Sequence, residues 1–290
     1  MATIQDILRH IRLLDLRTSE LSMQMQGGNN ISHFKGRGME FSEIREYHPG
    51  DEVRFIDWNT SARYGETFVK VFDEEREQIV FLLVDVSGSS DIADFGNTKR
   101  EIEATVAATI AISALKMRDR TGFLLFSDKT EKLIRPVKSK PQLLAALKDI
   151  LEFRPSSPGT NIALALKEIM RTAKRRCKIF ILSDFLSGNF DRELEICSQH
   201  HAVTAVRICT PNDEILPSVG MLSVIDSETG ERKIIDTSTI HYRSELRRLN
   251  KNQDEKFIAT LTKRKVHFLD ITTADDCVNR LAEFFATSKQ

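Results

Sequence analysis

Three separate stretches of the chain end in side chains suited to holding a hard cation. Asp85-Val86-Ser87-Gly88-Ser89 follows directly on the apolar run Ile79-Val80-Phe81-Leu82-Leu83-Val84. Ser183-Asp184 follows the apolar segment from Cys177 to Leu182, and Pro158-Gly159-Thr160-Asn161 opens a helix between the two. The set Asp85, Ser87, Ser89, Thr160 and Asp184 offers two carboxylates and three hydroxyls, with no histidine or cysteine. Oxygen donors of this kind suit Mg²⁺, and they accept Mn²⁺ or Ca²⁺ as well, cavity size and rigidity deciding among the three. Within Asp85-x-Ser87-x-Ser89, alternate residues of an extended loop project to one side, and the intervening Gly88 permits a tight turn. A strand-end Asp taken alone is commonly a helix cap or a surface acid; its convergence with hydroxyls at the ends of several strands is what points to a metal. Thr160 is also placed to cap the helix beginning at Asn161, and capping and ligation are compatible roles.

These residues need a scaffold that brings strand ends together. The continuous run from Ile79 to Val84 suits a strand buried on both faces of a parallel sheet. After it, helices are expected over Thr98 to Arg118, Lys140 to Phe153, Ile162 to Lys174, Asn189 to His200, Ser238 to Arg264 and Ala274 to Ala286. Strands are expected at Thr121 to Ser127, Lys178 to Leu182, Ala202 to Ile208 and Val266 to Asp270, and a hairpin at Met221 to Ile225 with Arg232 to Asp236. Such alternation predicts an α/β fold, a doubly wound and mostly parallel sheet with helices on both faces. Ahead of it, Ile4 to Met25 has helical apolar spacing, and the alternating Thr67 to Phe72 favours a strand. The organisation expected is a helix and β-rich appendage over residues 1–77 and the α/β domain over 78–290.

Composition narrows the function. Of 290 residues, 41% are apolar and 29% charged, the proportions of a soluble globular chain. Forty-two Lys and Arg balance 42 Asp and Glu, which argues against a dedicated nucleic-acid binder, since such proteins need a basic excess. The basic run from Arg171 to Lys178 lies at a helix C-terminus, where cations complement the dipole. Four cysteines without zinc-like spacing and no secretory leader are expected of a reduced, cytoplasmic protein, and no apolar stretch is long enough to span a bilayer. There is no Gly-x-x-x-x-Gly-Lys-Ser/Thr loop, no Gly-x-Ser-x-Gly elbow around Ser87, and a hydroxyl at position 87 where an aspartyl-phosphatase carries a second Asp. The chain is therefore expected to bind and not to catalyse; the alternative is a Mg²⁺-dependent hydrolase or phosphotransferase using the same strand ends.

Asp85-Val86-Ser87-Gly88-Ser89, Thr160 and Asp184 resemble the metal-ion-dependent adhesion site of von Willebrand factor A-type domains. Gly36-Arg37-Gly38-Met39-Glu40-Phe41, Arg45-Glu46-Tyr47, Pro49-Gly50-Asp51-Glu52-Val53-Arg54 and Ile56-Asp57-Trp58 resemble the domain-of-unknown-function-fifty-eight family. That bacterial family sets this segment ahead of an A-type domain and is commonly encoded beside MoxR-type AAA+ ATPases. The resemblance implies that Ser87 and Ser89 bind the metal directly, and that Asp85, Asp184 and Thr160 bind it directly or through water. It also implies that a partner carboxylate fills the remaining position, consistent with two carboxylates only just neutralising a divalent ion. The partners implied are a MoxR-type ATPase and a client protein, with this chain as adaptor. Relatives often carry Met after the second Ser, where this chain has Ser90 and then Asp91. In the preceding segment, Arg45, Asp51, Arg54 and Asp57 are expected to form salt bridges holding it to the A-type domain or to contact a partner, with Trp58 as a core or junction anchor.

Overall fold

The computed structural model describes residues 39–74, 77–91, 93–94, 97–155, 159–210, 220–225 and 232–287. The helix expected from Ile4 to Met25, Gly36-Arg37-Gly38 and Pro158 lie outside the described residues. The chain divides into two compact units, with the described residues up to Glu77 in one and those from Gln78 onward in the other.

In the smaller unit, β1 (Met39–Glu46) and β2 (Phe68–Glu74) form an antiparallel ribbon with a register shift between Phe41 and Glu43. Between them the chain makes a 3₁₀ turn at Val53–Phe55 and the short helix α1 (Trp58–Tyr64). The Asp57 carboxylate accepts the backbone N–H groups of Asn59 and Thr60, which starts α1, and Gly65 ends it in the left-handed region at φ 77°. Arg45 donates two hydrogen bonds to Asp51, at 2.8 and 2.7 Å, and with the His48 N–H this holds the Asp51 carboxyl down at about 2. Arg54 pairs with Glu52, and Lys70 lies 3.5 Å from Asp57. These three pairs lie within the smaller unit. Within this unit Trp58 is exposed, because a two-stranded ribbon and a two-turn helix with no buried residue cannot enclose an indole.

The larger unit runs β3 (Ile79–Asp85), a 3₁₀ turn at Gly88–Asp91, the short pair β4 (Ala93–Asp94) and β5 (Asn97–Thr98), then α2 (Lys99–Lys116), β6 (Arg120–Phe126) and β7 (Thr130–Val137). It continues through α3 (Lys140–Glu152), α4 (Ile162–Thr172), β8 (Lys178–Ser183), α5 (Asp191–His200) and β9 (Ala202–Cys209). The hairpin β10 (Met221–Ile225) and β11 (Arg232–Asp236), α6 (Ile240–Lys263), β12 (His267–Thr272) and α7 (Cys277–Thr287) complete it.

Six strands form one sheet in the order β12-β9-β8-β3-β6-β7, parallel throughout except for the antiparallel edge strand β7. Alternate residues of the buried strand β3 divide between two cores. Val80, Leu82 and Val84 pack with residues of α2, α3 and α7, while Phe81 and Leu83 pack with residues of α4, α5 and α6. The sheet is therefore covered by helices on both faces, as expected of a doubly wound α/β fold. Gly122 on β6 is a close-approach position: a Cβ there would lie 2.7 Å from the Phe81 ring. Strand β7 escaped the sequence reading because Lys132-Leu133-Ile134-Arg135-Pro136 breaks the alternation, and Pro136 is tolerated only because the strand is at an edge. Among the described residues no helix is long and apolar enough to cross a membrane.

The chain first builds outward from β3 to β6 and β7, then returns to the other side of β3 with β8 and continues to β9 and β12. The reversal falls between β3 and β8, and ligands in open α/β sheets bind beyond the carboxyl ends of the strands at such a reversal. Asp85 ends β3, and Ser183 ends β8 immediately before Asp184.

Candidate metal centre

Register brings the two strand ends together. Val84 pairs with Leu182, which sets Ser183 level with Asp85, and the Ser183 hydroxyl donates to Asp85 Oδ2 at 2.7 Å. The Ser87 N–H donates to Asp85 Oδ1 at 3.0 Å, so the carboxylate folds its own loop back over the strand end. The hydroxyls of Ser87 and Ser89 then face each other at 3.1 Å, brought together by the 3₁₀ turn at Gly88–Asp91 and not by the extended loop expected from the spacing. Ser90 donates to the Asp85 carbonyl at 3.2 Å and to Glu103 Oε1 at 3.4 Å.

Asp184 Oδ1 accepts the Leu186 N–H at 3.1 Å, and the Ser183 Oγ accepts the Phe185 N–H at the same distance. Between these bonds Phe185 takes φ 57°, a left-handed conformation that is rare for a bulky residue. Its ring is buried against Phe190 and Phe257, at centroid distances of 6.1 and 4.9 Å, and this packing fixes the turn that aims Asp184.

Thr160 arrives on a third loop. The Asn161 N–H donates to the Ser127 carbonyl at the end of β6, and Ser187 donates to the Thr160 carbonyl at 3.2 Å, joining this loop to the one that carries Asp184. The cap of α4 is Asn161, whose side chain accepts the Leu164 N–H at 2.9 Å; Thr160 is not the cap. Its hydroxyl is instead buried without a hydrogen-bond partner. An orphaned hydroxyl is disfavoured unless a ligand completes it.

Burial raises the Asp85 carboxyl to about 6, with the Asp184 charge adding to the rise and hydrogen bonds from Ser183 and Ser87 opposing it. Glu103, on α2, is raised well above the carboxylate range, first by burial and then by the charges of Asp85 and Asp184, with Arg100 and Ser90 opposing. Arg100 bonds to the Phe153 carbonyl and, at 3.4 Å, to the carbonyls of Val86 and Ser87. Lys99 Nζ lies 3.4 Å from Asp184 Oδ2. These three charged residues stand on the first turns of α2, which the Thr98–Glu101 capping box starts.

Motif reading did not name Lys99, Arg100 or Glu103, and it noted Ser183 at the strand end without a part in the ligand set. A signal was present: two cations open a helix, where the dipole disfavours them, and an acid interrupts an apolar stretch from Ile102 to Ile112. Among the described residues no cluster of three or more His, Cys, Asp or Glu could hold a metal. A centre with two carboxylates and three hydroxyls is of a different kind. Its facing hydroxyls, its carboxylates with remaining lone pairs and its orphaned Thr160 oxygen fit a hard divalent cation.

Residues 43–256 match the family model described as "Protein of unknown function DUF58". The chain belongs to the DUF58 family. It is 30% identical to the uncharacterized protein Rv1480 of Mycobacterium tuberculosis over 224 residues, 74% of this chain and 70% of that one. Over 101 residues it is 34% identical to the uncharacterized protein YeaD of Bacillus subtilis, 35% of this chain and 23% of the relative. Among solved structures, an aerotolerance-related membrane protein of Bacteroides fragilis aligns with a TM-score of 0.49 at 12% identity, covering 72% of this chain and 99% of that one.

Thr160 supplies a separable test within this DUF58 centre. Replacing an unpartnered buried hydroxyl by a methyl removes a desolvation penalty of about 1–3 kcal/mol. Thr160→Val is expected to match or exceed the wild type in metal-free urea unfolding, yet to respond less to Mg²⁺. A metal-free loss of stability would show that the hydroxyl has a structural partner.

Proposed function

We propose that this protein is a metal-dependent protein-binding module of the von Willebrand factor A type, an adaptor for a MoxR-type AAA+ ATPase and its client. The observation that carries the metal reading is the convergence of Asp85, Ser87, Ser89 and Asp184 at the β3/β8 reversal, with the buried, unpartnered Thr160 hydroxyl on the adjoining loop. Ser87 and Ser89 would hold Mg²⁺ directly, with Asp85, Asp184 and Thr160 completing the set. The ion would supply an electrophilic position for a partner carboxylate. The chain's own residues do the rest: Arg100 pins the loop after β3, Phe185 fixes the direction of Asp184, and Leu186, 63% exposed two residues beyond, offers an apolar contact at the rim.

The reading favours binding over catalysis because the hydroxyls of Ser87 and Ser89 bond to each other and, among the described residues, neither bonds to a histidine. The ATPase partnership rests on the resemblance of the segment from Gly36 to Trp58 and of the strand-end motif. Capture of a MoxR-type ATPase from the same organism tests it. Tagged wild type is expected to retain the ATPase in Mg²⁺ and to release it in chelator, and the folded Asp85→Ala/Asp184→Ala variant is expected not to retain it. Equal capture by the double variant would overturn the metal-dependent interface. Turnover of phosphate esters lost with Asp85→Ala would replace the reading by a hydrolase.

A further inference from the structure

The most deeply buried charges beside the centre are ones its motif does not name. Lys99 is 2% exposed, with Nζ 3.4 Å from Asp184 Oδ2. It opens α2, where the helix dipole repels a cation, so the acidic surroundings and not the helix hold it there. Glu103 lies four residues on, on the same side of the helix. It is 1% exposed; Oε1 accepts from Ser90, whereas Oε2 is buried without a hydrogen-bond partner. A carboxyl oxygen left open in so enclosed a place is explained if a cation reaches it in a second state of the centre and restores to Glu103 the charge that burial disfavours.

We infer that Lys99 is a resident counter-cation of the centre, paired with Asp184 in the metal-free protein and turned to Glu103 when Asp184 takes up a divalent ion. This rests on the metal reading above and adds its regulation. Lysine carries a compact charge on a flexible stem, so the exchange needs side-chain rotation about Cα of Lys99 and no movement of α2. A monovalent charge in contact with a ligand opposes a divalent ion entering the same site, so Lys99 sets a threshold for occupancy. Moving that charge from β8's loop to the first turns of α2 frees Asp184 from the helix, and occupancy is thereby communicated to the element whose Arg100 holds the Val86 and Ser87 carbonyls.

Isothermal titration of the chelator-stripped full-length chain with MgCl₂ tests this, with folding checked by circular dichroism. Lys99→Gln keeps an N–H donor for Asp184 and removes the charge; it is expected to bind Mg²⁺ on the order of tenfold tighter than wild type. Lys99→Met gives the same comparison should the Gln variant fold poorly, and Lys99→Arg is expected not to tighten binding. The relay to Glu103 is read from coupling: Glu103→Gln is expected to weaken Mg²⁺ binding more in the wild type than in the Lys99→Gln background. Wild-type or weaker affinity in Lys99→Gln overturns the counter-cation, and equal losses in the two backgrounds overturn the relay. If neither wild type nor Lys99→Gln binds Mg²⁺, the metal reading itself fails and takes this inference with it.

Discussion

Metal-free protein is expected to lose about 3 kcal/mol of stability through Asp85 alone as pH rises from about 3 to about 7, and Asp85→Asn is expected to lose none of that share. The folded-state carboxyl sits at about 6 against an ordinary value of 3.8, because burial disfavours its charge. Below the ordinary value both folded and unfolded chains hold the proton, and the stabilisation is fully present. Between the two values the unfolded chain has released its proton while the folded chain retains it, so stability falls with rising pH and levels off above the folded value. Urea unfolding followed by circular dichroism across this range in chelator measures the difference between wild type and variant. Parallel curves would mean that Asp85 is solvated in the folded protein.

A second large effect follows from the same charge. On the proposed metal reading a divalent ion would replace the proton as the partner of Asp85, so Mg²⁺ is expected to stabilise most at neutral pH. An ion that binds only the folded chain, at about a hundred times its dissociation constant, adds roughly 2.7 kcal/mol, a rise of about 4 °C in the melting midpoint for a chain of this length. Asp184→Ala removes one carboxylate and with it an acidic partner of buried Lys99. Its metal-free midpoint is expected to fall, and its response to Mg²⁺ to vanish. A variant that melts lower yet gains as much from Mg²⁺ as the wild type would place the ion elsewhere.

The legible part of this molecule was the part governed by continuous apolar runs. Ile79 to Val84 and Ile179 to Leu182 are unbroken apolar runs, Ala202 to Ile208 is interrupted only by Thr204 and Arg207, and each forms a strand where expected. The hairpin from Met221 to Asp236 forms with the expected bounds. Strand β7 was hidden because an edge strand half exposed to solvent needs no clean pattern. In the smaller unit the charged residues were visible but their partners were not. Arg45 finds Asp51 six residues away through the turn after β1, a closure that depends on backbone geometry.

The centre shows the same division. Strand-end position and oxygen chemistry single out Asp85, Ser87, Ser89, Thr160 and Asp184 as a candidate set from sequence alone. What spacing does not convey is the charge packed behind them. Lys99, Arg100 and Glu103 reach the centre because the capping box at Thr98 and Glu101 starts α2 beside it. The left-handed turn at Phe185 is equally silent in the sequence, since its stability comes from rings at positions 190 and 257.

The central claim is that the oxygen set at the β3/β8 reversal holds one divalent cation. Counting bound Mn²⁺ by electron paramagnetic resonance tests it most directly, since the free aqueous ion gives a sharp signal that bound ion loses. Chelator-stripped wild type is expected to take up one Mn²⁺ per chain, released by excess Mg²⁺, and Asp85→Ala to take up none. No uptake by the wild type, or equal uptake by Asp85→Ala, would contradict the account.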